Sequence, residues 1–208
     1  MKQLRPWLFL AVLVAVMPGC EQESAPDSPD STSEGPPSVT TPRDSSSAVA
    51  IPMTDSVLTP DGWRNLRIGM TRAEVVAAAG EDANPDAVGG PDPATCDEFR
   101  PLRAPQGLLV MIRDGKLSRI SISAGTGIVT NHGIAVGDSI SAVIDAYGGD
   151  AHVTPHAFHE APDQYLATWQ VQPPSSAARG LVYEITDAGR VLRILAGDES
   201  IEYREGCV

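Results

Sequence analysis

The segment Ala151-His152-Val153-Thr154-Pro155-His156-Ala157-Phe158-His159-Glu160 gathers three of the chain's four histidines beside a carboxylate. Imidazole nitrogens and a carboxylate oxygen suit zinc or copper, so the chemistry suggested here is metal binding through His152, His156 and His159. The spacing argues against a ready-made site. Pro155 breaks the helix that would set His152 and His156 one turn apart on one face, and no second ligand group stands out elsewhere. The competing reading is a loop of ordinary surface histidines, so the principal expectation is no metal and no other cofactor, with the histidine cluster as the alternative.

Nucleophilic chemistry has less to draw on. Serines are dense between Glu21 and Ser56, and no Gly-x-Ser-x-Gly elbow, phosphate loop or dinucleotide fingerprint occurs. Asp82 and Asp150 close two similar stretches of sequence, in turns where Asp serves local hydrogen bonding. The chain therefore reads as a non-enzyme.

The three cysteines divide by position. Cys20 ends an N-terminal stretch with a basic head (Lys2, Arg5), an apolar run from Trp7 to Val16, and Met17-Pro18-Gly19-Cys20. An apolar run of about ten residues is half of what a spanning helix needs, so residues 1–19 read as a secretory signal. The Gly19-Cys20 ending resembles the lipobox of bacterial lipoproteins, which implies lipid on the Cys20 thiol; a plain secreted protein with a stray cysteine is the competing reading. With Cys20 so assigned, Cys96 and Cys207 form an even pair in an oxidising compartment and are expected to be bonded, two lone buried thiols being the alternative. Neither redox nor zinc spacing is present.

Without residues 1–19 the chain carries 13 basic against 27 acidic residues, a formal charge of −14. Such a balance repels phosphate backbones and anionic headgroups, which excludes nucleic acid as a partner class and leaves the lipid as the expected membrane contact. Residues 20–57, rich in Ser, Thr, Pro, Asp and Glu and free of aromatic residues, bury too little to offset their ordering entropy and read as a lipidated, disordered linker.

The remaining residues contain a repeat. Ile68-Gly69-Met70-Thr71 through Asp82 aligns without gaps on Val136-Gly137-Asp138-Ser139 through Asp150, and Gly107–Leu117 aligns on Gly180–Val191 with Ala188 inserted. In the first copy Thr71 and Glu74 make a capping box with Met70 and Val75 at the staple positions; in the second Ser139 is the cap and Ile140, Val143, Ile144 and Tyr147 fall on one helix face. Gly80 and Gly148 stand where left-handed caps end such helices. Apolar runs around Asp114-Gly115 and Asp187-Ala188-Gly189 predict hairpins, Tyr165–Val171 alternates as a strand, and Ile201–Arg204 as a last one before Cys207. The expected fold is α+β, two tandem helix-plus-antiparallel-meander repeats at 58–130 and 131–208 with helices on one sheet face, stapled by Cys96–Cys207.

The string Ile68-Gly69-Met70-Thr71 with Glu74-Val75 and Gly80, followed by the Asp114-Gly115 hairpin, resembles the BamE (SmpA/OmlA) outer-membrane lipoproteins and the tandem repeats of the secreted beta-lactamase inhibitor protein. The resemblance implies a helical unit on an antiparallel sheet and a protein-binding role, and speaks more for fold than for function. The expected function is a non-catalytic binding or assembly module of the cell envelope, held by its lipid, in the outer membrane facing the periplasm. Its partner would be another envelope protein, with inhibition of a secreted or periplasmic hydrolase as a further alternative. The expected recognition surface is the sheet face opposite the helices, carrying some of Trp169, Tyr183, Tyr165 and Tyr203, with Trp169 and Tyr183 as exposed contacts; the competing reading for any one of them is an ordinary core aromatic.

Overall fold

A computed structural model describes residues 57–86 and 89–207. The expected signal, Cys20 and the expected linker up to residue 56 lie outside them. The elements run β1 (Val57–Thr59), β2 (Gly62–Trp63), β3 (Leu66–Arg67), α1 (Arg72–Ala79), β4 (Cys96–Phe99), β5 (Leu108–Arg113), β6 (Lys116–Ile122), β7 (Val129–Thr130), α2 (Ile140–Tyr147), β8 (His152–Pro155), β9 (Gln164–Val171), β10 (Arg179–Ile185) and β11 (Val191–Gly197). The fold is α+β: two helices, a four-stranded mixed sheet and a seven-stranded antiparallel sheet.

Local chemistry starts each helix. The Thr71 hydroxyl accepts the Glu74 N–H at 3.3 Å, and the Thr71 N–H donates to Glu74 Oε2 at 2.8 Å. That backbone donor, and then the Thr71 hydroxyl, hold the Glu74 carboxyl below its ordinary value. Ser139 caps α2 by accepting from the Ala142 N–H at 3.2 Å. Gly80 and Gly148 follow the helices at positive φ, 96° and 57°, but their ψ values of 167° and −131° are not those of the expected left-handed cap. On α2, Val143 is buried and Ile140 and Tyr147 pack on the core, while Ile144 faces water.

Each helix start is docked to the hairpin that follows it, and the two dockings match bond for bond. Gly69 N–H donates to Leu117 O, Leu117 N–H to Met70 O and Arg72 N–H to Gly115 O, at 2.7, 2.7 and 3.2 Å. At the aligned positions Gly137 donates to Val191, Val191 to Asp138 and Ile140 to Gly189, at 2.8, 2.9 and 2.9 Å. Isolated bridges Thr71↔Lys116 and Ser139↔Arg190 repeat the correspondence.

The large sheet has the order β4-β5-β6-β11-β10-β9-β8, so two meanders abut at β6 and β11, with Ile122 facing Ile194 and Arg119 facing Gly197. Strand alternation gives it two faces. Val75 and Ala79 of α1 and Val143 of α2 share one core with Phe99, Val110, Ile120, Ile122, Tyr183 and Ile194. The small sheet, β3-β2-β1-β7, adds Leu58, Trp63 and Leu66 to that core and joins β1 to β7 in parallel. Nothing in the sequence reading anticipated it.

On the second face Tyr165, Ala167, Val182, Leu195 and Ile201 form a smaller cluster, closed by the C-terminal residues. The strand expected at Ile201–Arg204 is instead a 3-10 turn, Glu199–Glu202, capped by Asp198, whose carboxylate accepts from the Ser200 N–H at 2.8 Å. The buried Arg119 guanidinium explains the change. Its Nη1 donates to the carbonyls of Ser200 and Tyr203 at 3.0 and 2.8 Å, and its Nη2 to Glu98 Oε1 at 2.5 Å. One donor nitrogen shared by both carbonyls draws residues 200 and 203 together as a turn does, and the Ser200 carbonyl also accepts the Tyr203 N–H at 3.1 Å. Burial pushes the guanidinium's pKa down, and the Glu98 carboxylate opposes the shift.

Cys96 and Cys207 are bonded as expected, 111 residues apart, and fasten this C-terminal segment to β4. Closing a loop of that length stabilises the fold by about 4 to 5 kcal/mol through the unfolded state. Gly206, at φ 80°, allows the approach: a Cβ there would stand 2.3 Å from Glu98 Oε2.

Replacing Arg119 by Met strands the Glu98 carboxylate in the interior and should destabilise the protein by about 3 to 5 kcal/mol in urea denaturation. Adding Glu98→Leu should restore most of that loss. Equal stability of the single and double variants would contradict the burial argument.

Candidate functional site

Where β8 stops pairing with β9, the surface opens into a cleft of about 200 Å³ lined by Pro60, Asn131, His132, Ala146, Tyr147, Asp150, Thr168, Trp169, Gln170 and Leu181. Five parts of the chain build it, Leu181 of β10 being one. Pro60 lies between β1 and β2. Asn131 and His132 project on a tight turn in which the Gly133 N–H donates to Thr130 O at 2.8 Å, with Gly133 at φ 78°. Ala146, Tyr147 and Asp150 come from the end of α2 and the 3-10 turn Gly148–Asp150 that follows it, and Thr168–Gln170 from the far half of β9.

Aromatic rings and hydroxyls order the floor. The exposed His132 imidazole lies 4.2 Å from the Tyr147 ring at 33°. The hydroxyls of Tyr147 and Tyr183 are 2.8 Å apart, either able to donate to the other, and the Tyr183 hydroxyl lies 3.4 Å from Thr130 Oγ1. Thr130 Oγ1 in turn accepts the Ile134 N–H at 3.1 Å, which ties the chain of hydroxyls to the His132 turn. Burial pushes both phenols up in pKa, Tyr183 most strongly, so they stay protonated donors at neutral pH. Neutral phenols bonded to one another orient a ligand; they do not supply a base.

The expected recognition aromatics separate. Tyr183 and Tyr165 are buried, at 0% and 1% exposure, and their expected place on an open face is corrected. Tyr183 shares the side of β10 with Leu181 and Ile185, toward the helices, whereas Tyr165 packs beneath the C-terminal residues. Trp169 remains half-buried at the cleft, its ring lying over Gly180, where a Cβ would come within 2.7 Å of it. Tyr203 is exposed, under the Arg113 guanidinium, and borders a groove of about 460 Å³ running past Pro91, Asp92 and the Cys96–Cys207 bond.

The histidines expected as alternative metal ligands are not assembled as ligands. His152 lies exposed on the edge strand β8, which replaces the expected loop; Pro155 ends it, as a residue without an N–H can on an edge. His156 is buried with both ring nitrogens engaged. Its Nδ1 accepts the N–H groups of Phe158 and His159 at 3.2 and 3.1 Å, while Nε2 stands 2.9 Å from the Tyr165 hydroxyl and 3.3 Å from Glu184 Oε1. Two amide donors on Nδ1 place the proton on Nε2, so no lone pair is open to a cation. His159 pairs through Nδ1 with Asp163 at 2.8 Å. Among the described residues no three His, Cys, Asp or Glu side chains are placed to hold a metal ion.

What these residues form is a column of stacked planes, His159 over His156 at 4.3 Å, His156 over Tyr165 at 4.6 Å, and the Arg204 guanidinium 3.8 Å beyond the Tyr165 ring. Glu184 beside it accepts from Arg193 Nε at 2.8 Å. Burial first, and then the Glu184 charge, raises the Tyr165 phenol. The column holds the turn after β8 and the C-terminal segment against the second face, which is a structural duty.

The sequence reading missed His132 and the polar role of Tyr147. One signal was present: Tyr147 occupies the position aligned with Ala79, the largest change in side-chain size between the two aligned helices. Compared with family models, with curated proteins and with solved structures, the chain matches none.

A tyrosine held neutral by burial adds stability that is lost as pH climbs above its ordinary value of 10. Tyrosinate absorbance of the native protein should therefore contain a late phase that disappears in Tyr183→Phe, a variant also weaker by about 1 kcal/mol for the lost hydrogen bond. Titration of Tyr183 in step with free tyrosine would refute the buried hydroxyl chain.

Proposed function

We propose that this protein is an envelope lipoprotein, anchored through Cys20, whose folded part is two copies of one BamE-like helix-plus-meander unit serving as a non-catalytic protein-binding module outside the cytoplasm. The matched docking bonds at Gly69, Met70 and Arg72 and at Gly137, Asp138 and Ile140 support duplication, because three bonds fall at aligned residues. The Cys96–Cys207 bond favours an oxidising compartment.

Recognition is carried by one observation, the cleft of His132, Tyr147 and Trp169. It presents ring faces beside polar groups in a concave site, the composition in which interface anchors are concentrated. The second sheet face, expected to recognise the partner, is covered by the residues that Arg119 and the disulfide hold, so the reading moves the contact surface from that face to the cleft.

Two experiments test this reading. A photoreactive residue at Gln170 should yield one discrete protein adduct in intact cells, while the same residue at Asp82 yields none. Absence of protein adducts at Gln170, Val153, Leu192 and Tyr203 alike would overturn the binding role. Separately, the chain should incorporate an alkyne-labelled palmitate that Cys20→Ala abolishes; incorporation that survives the change would remove the proposed anchor.

A further inference from the structure

We infer that the outer edge of β9 at Thr168–Val171 receives an extended, basic peptide segment as an added strand, with one of its apolar side chains seated in the adjoining cleft. This rests on the protein-binding reading above and names the partner's chemistry.

The strand pairing carries the argument. β8 pairs with β9 only from His152↔Ala167 to Pro155↔Gln164, whereas β9 continues four residues further with β10 as its ladder partner. Among the described residues nothing pairs with Thr168–Val171 on the β8 side. Alternate residues of a strand direct N–H and C=O groups toward the same edge, so this stretch offers donor-acceptor groups to an incoming backbone, with a bulge at Gln170 between Trp169 and Val171. The opposite edge of the sheet is closed. There the chain before β4 lies against it, so that a Cβ at Gly90 would fall 2.3 Å from the Cys96 carbonyl oxygen. β8 itself is blunted by its four-residue length and by Pro155. Among the described residues of this sheet, the far half of β9 is left as a template, and it borders a ready-made side-chain pocket.

Charge selects the occupant. Residues 131–208 hold four basic and eleven acidic residues, whereas residues 58–130 hold eight and nine. The net charge of the folded part is thus 4 − 11 = −7 in the half that carries most of the cleft and 8 − 9 = −1 in the other. Asp150 lines the cleft, and Asp145 is exposed on the preceding helix. A strand bearing Lys or Arg on either side of an apolar residue meets this field favourably, while an acidic one is repelled.

The test is a displayed library of random octapeptides selected on the full chain. Selected peptides should combine Lys or Arg with an aromatic or large aliphatic residue in alternating positions. Asp150→Lys should weaken the selected peptide at least fivefold, and Asp187→Lys, on the distant hairpin, should leave it unchanged. Methylating the peptide's backbone nitrogens should abolish binding at every second position and be tolerated between, and bound peptide should slow amide exchange in Thr168–Val171. Failure to select any peptide, selection of acidic sequences, or binding that leaves those amides exchanging as before would overturn strand addition. Protein adducts from intact cells in the face of any such result would keep the binding role and discard this mode of it.

Discussion

Everything in the folded part hangs on the antiparallel pairing of β6 with β11. A helix on a small meander has one apolar face and too little to cover it, but joining the three strands β4-β5-β6 edge to edge with the four strands β11-β10-β9-β8 produces a seven-stranded sheet with a continuous core beneath both helices. The seam also explains why an arginine can be buried there. Arg119 faces Gly197 across the seam, where the absent side chain leaves room, and its fork reaches the carbonyls of Ser200 and Tyr203 and the carboxylate of Glu98. Every bond it makes ties β4 or the C-terminal residues back to the seam.

That economy has a functional side. With the helices on one face and the C-terminal segment across part of the other, the proposed binding role puts recognition at edges and corners. The cleft arises where the two halves differ. Tyr147 stands where the aligned helix has Ala79, and the extra ring meets Tyr183 below and His132 above. If the two halves are copies, as proposed, a large residue replacing a small one at a shared position is where a new surface can be made without disturbing the common core.

Features that depend on a few neighbouring residues were legible in the sequence. The Thr71–Glu74 capping box, the Asp114-Gly115 hairpin, the alternation of Tyr165 to Trp169 and the pairing of the two cysteines could each be read before any fold was known, because local hydrogen bonding or simple elimination decides them. What failed depended on distant partners. Alternation told that Tyr183 and Glu184 point to opposite faces, but which face would be covered was decided by helix packing. Ile201–Arg204 has the pattern of a strand, yet a turn capped by Asp198 forms there and is held by Arg119, eighty residues earlier, through the carbonyls of Ser200 and Tyr203. The histidine cluster looked like chemistry because composition records which groups are near in sequence, not which lone pairs backbone amides have already claimed.

The Cys96–Cys207 bond carries a last implication, about order in time. Cys207 follows every helix and strand described, so the covalent ring cannot close while any of them is still being made. Until Cys207 has been made the chain has only noncovalent contacts to draw on, and the bond, once formed, latches the C-terminal segment to β4 across nearly the whole folded part.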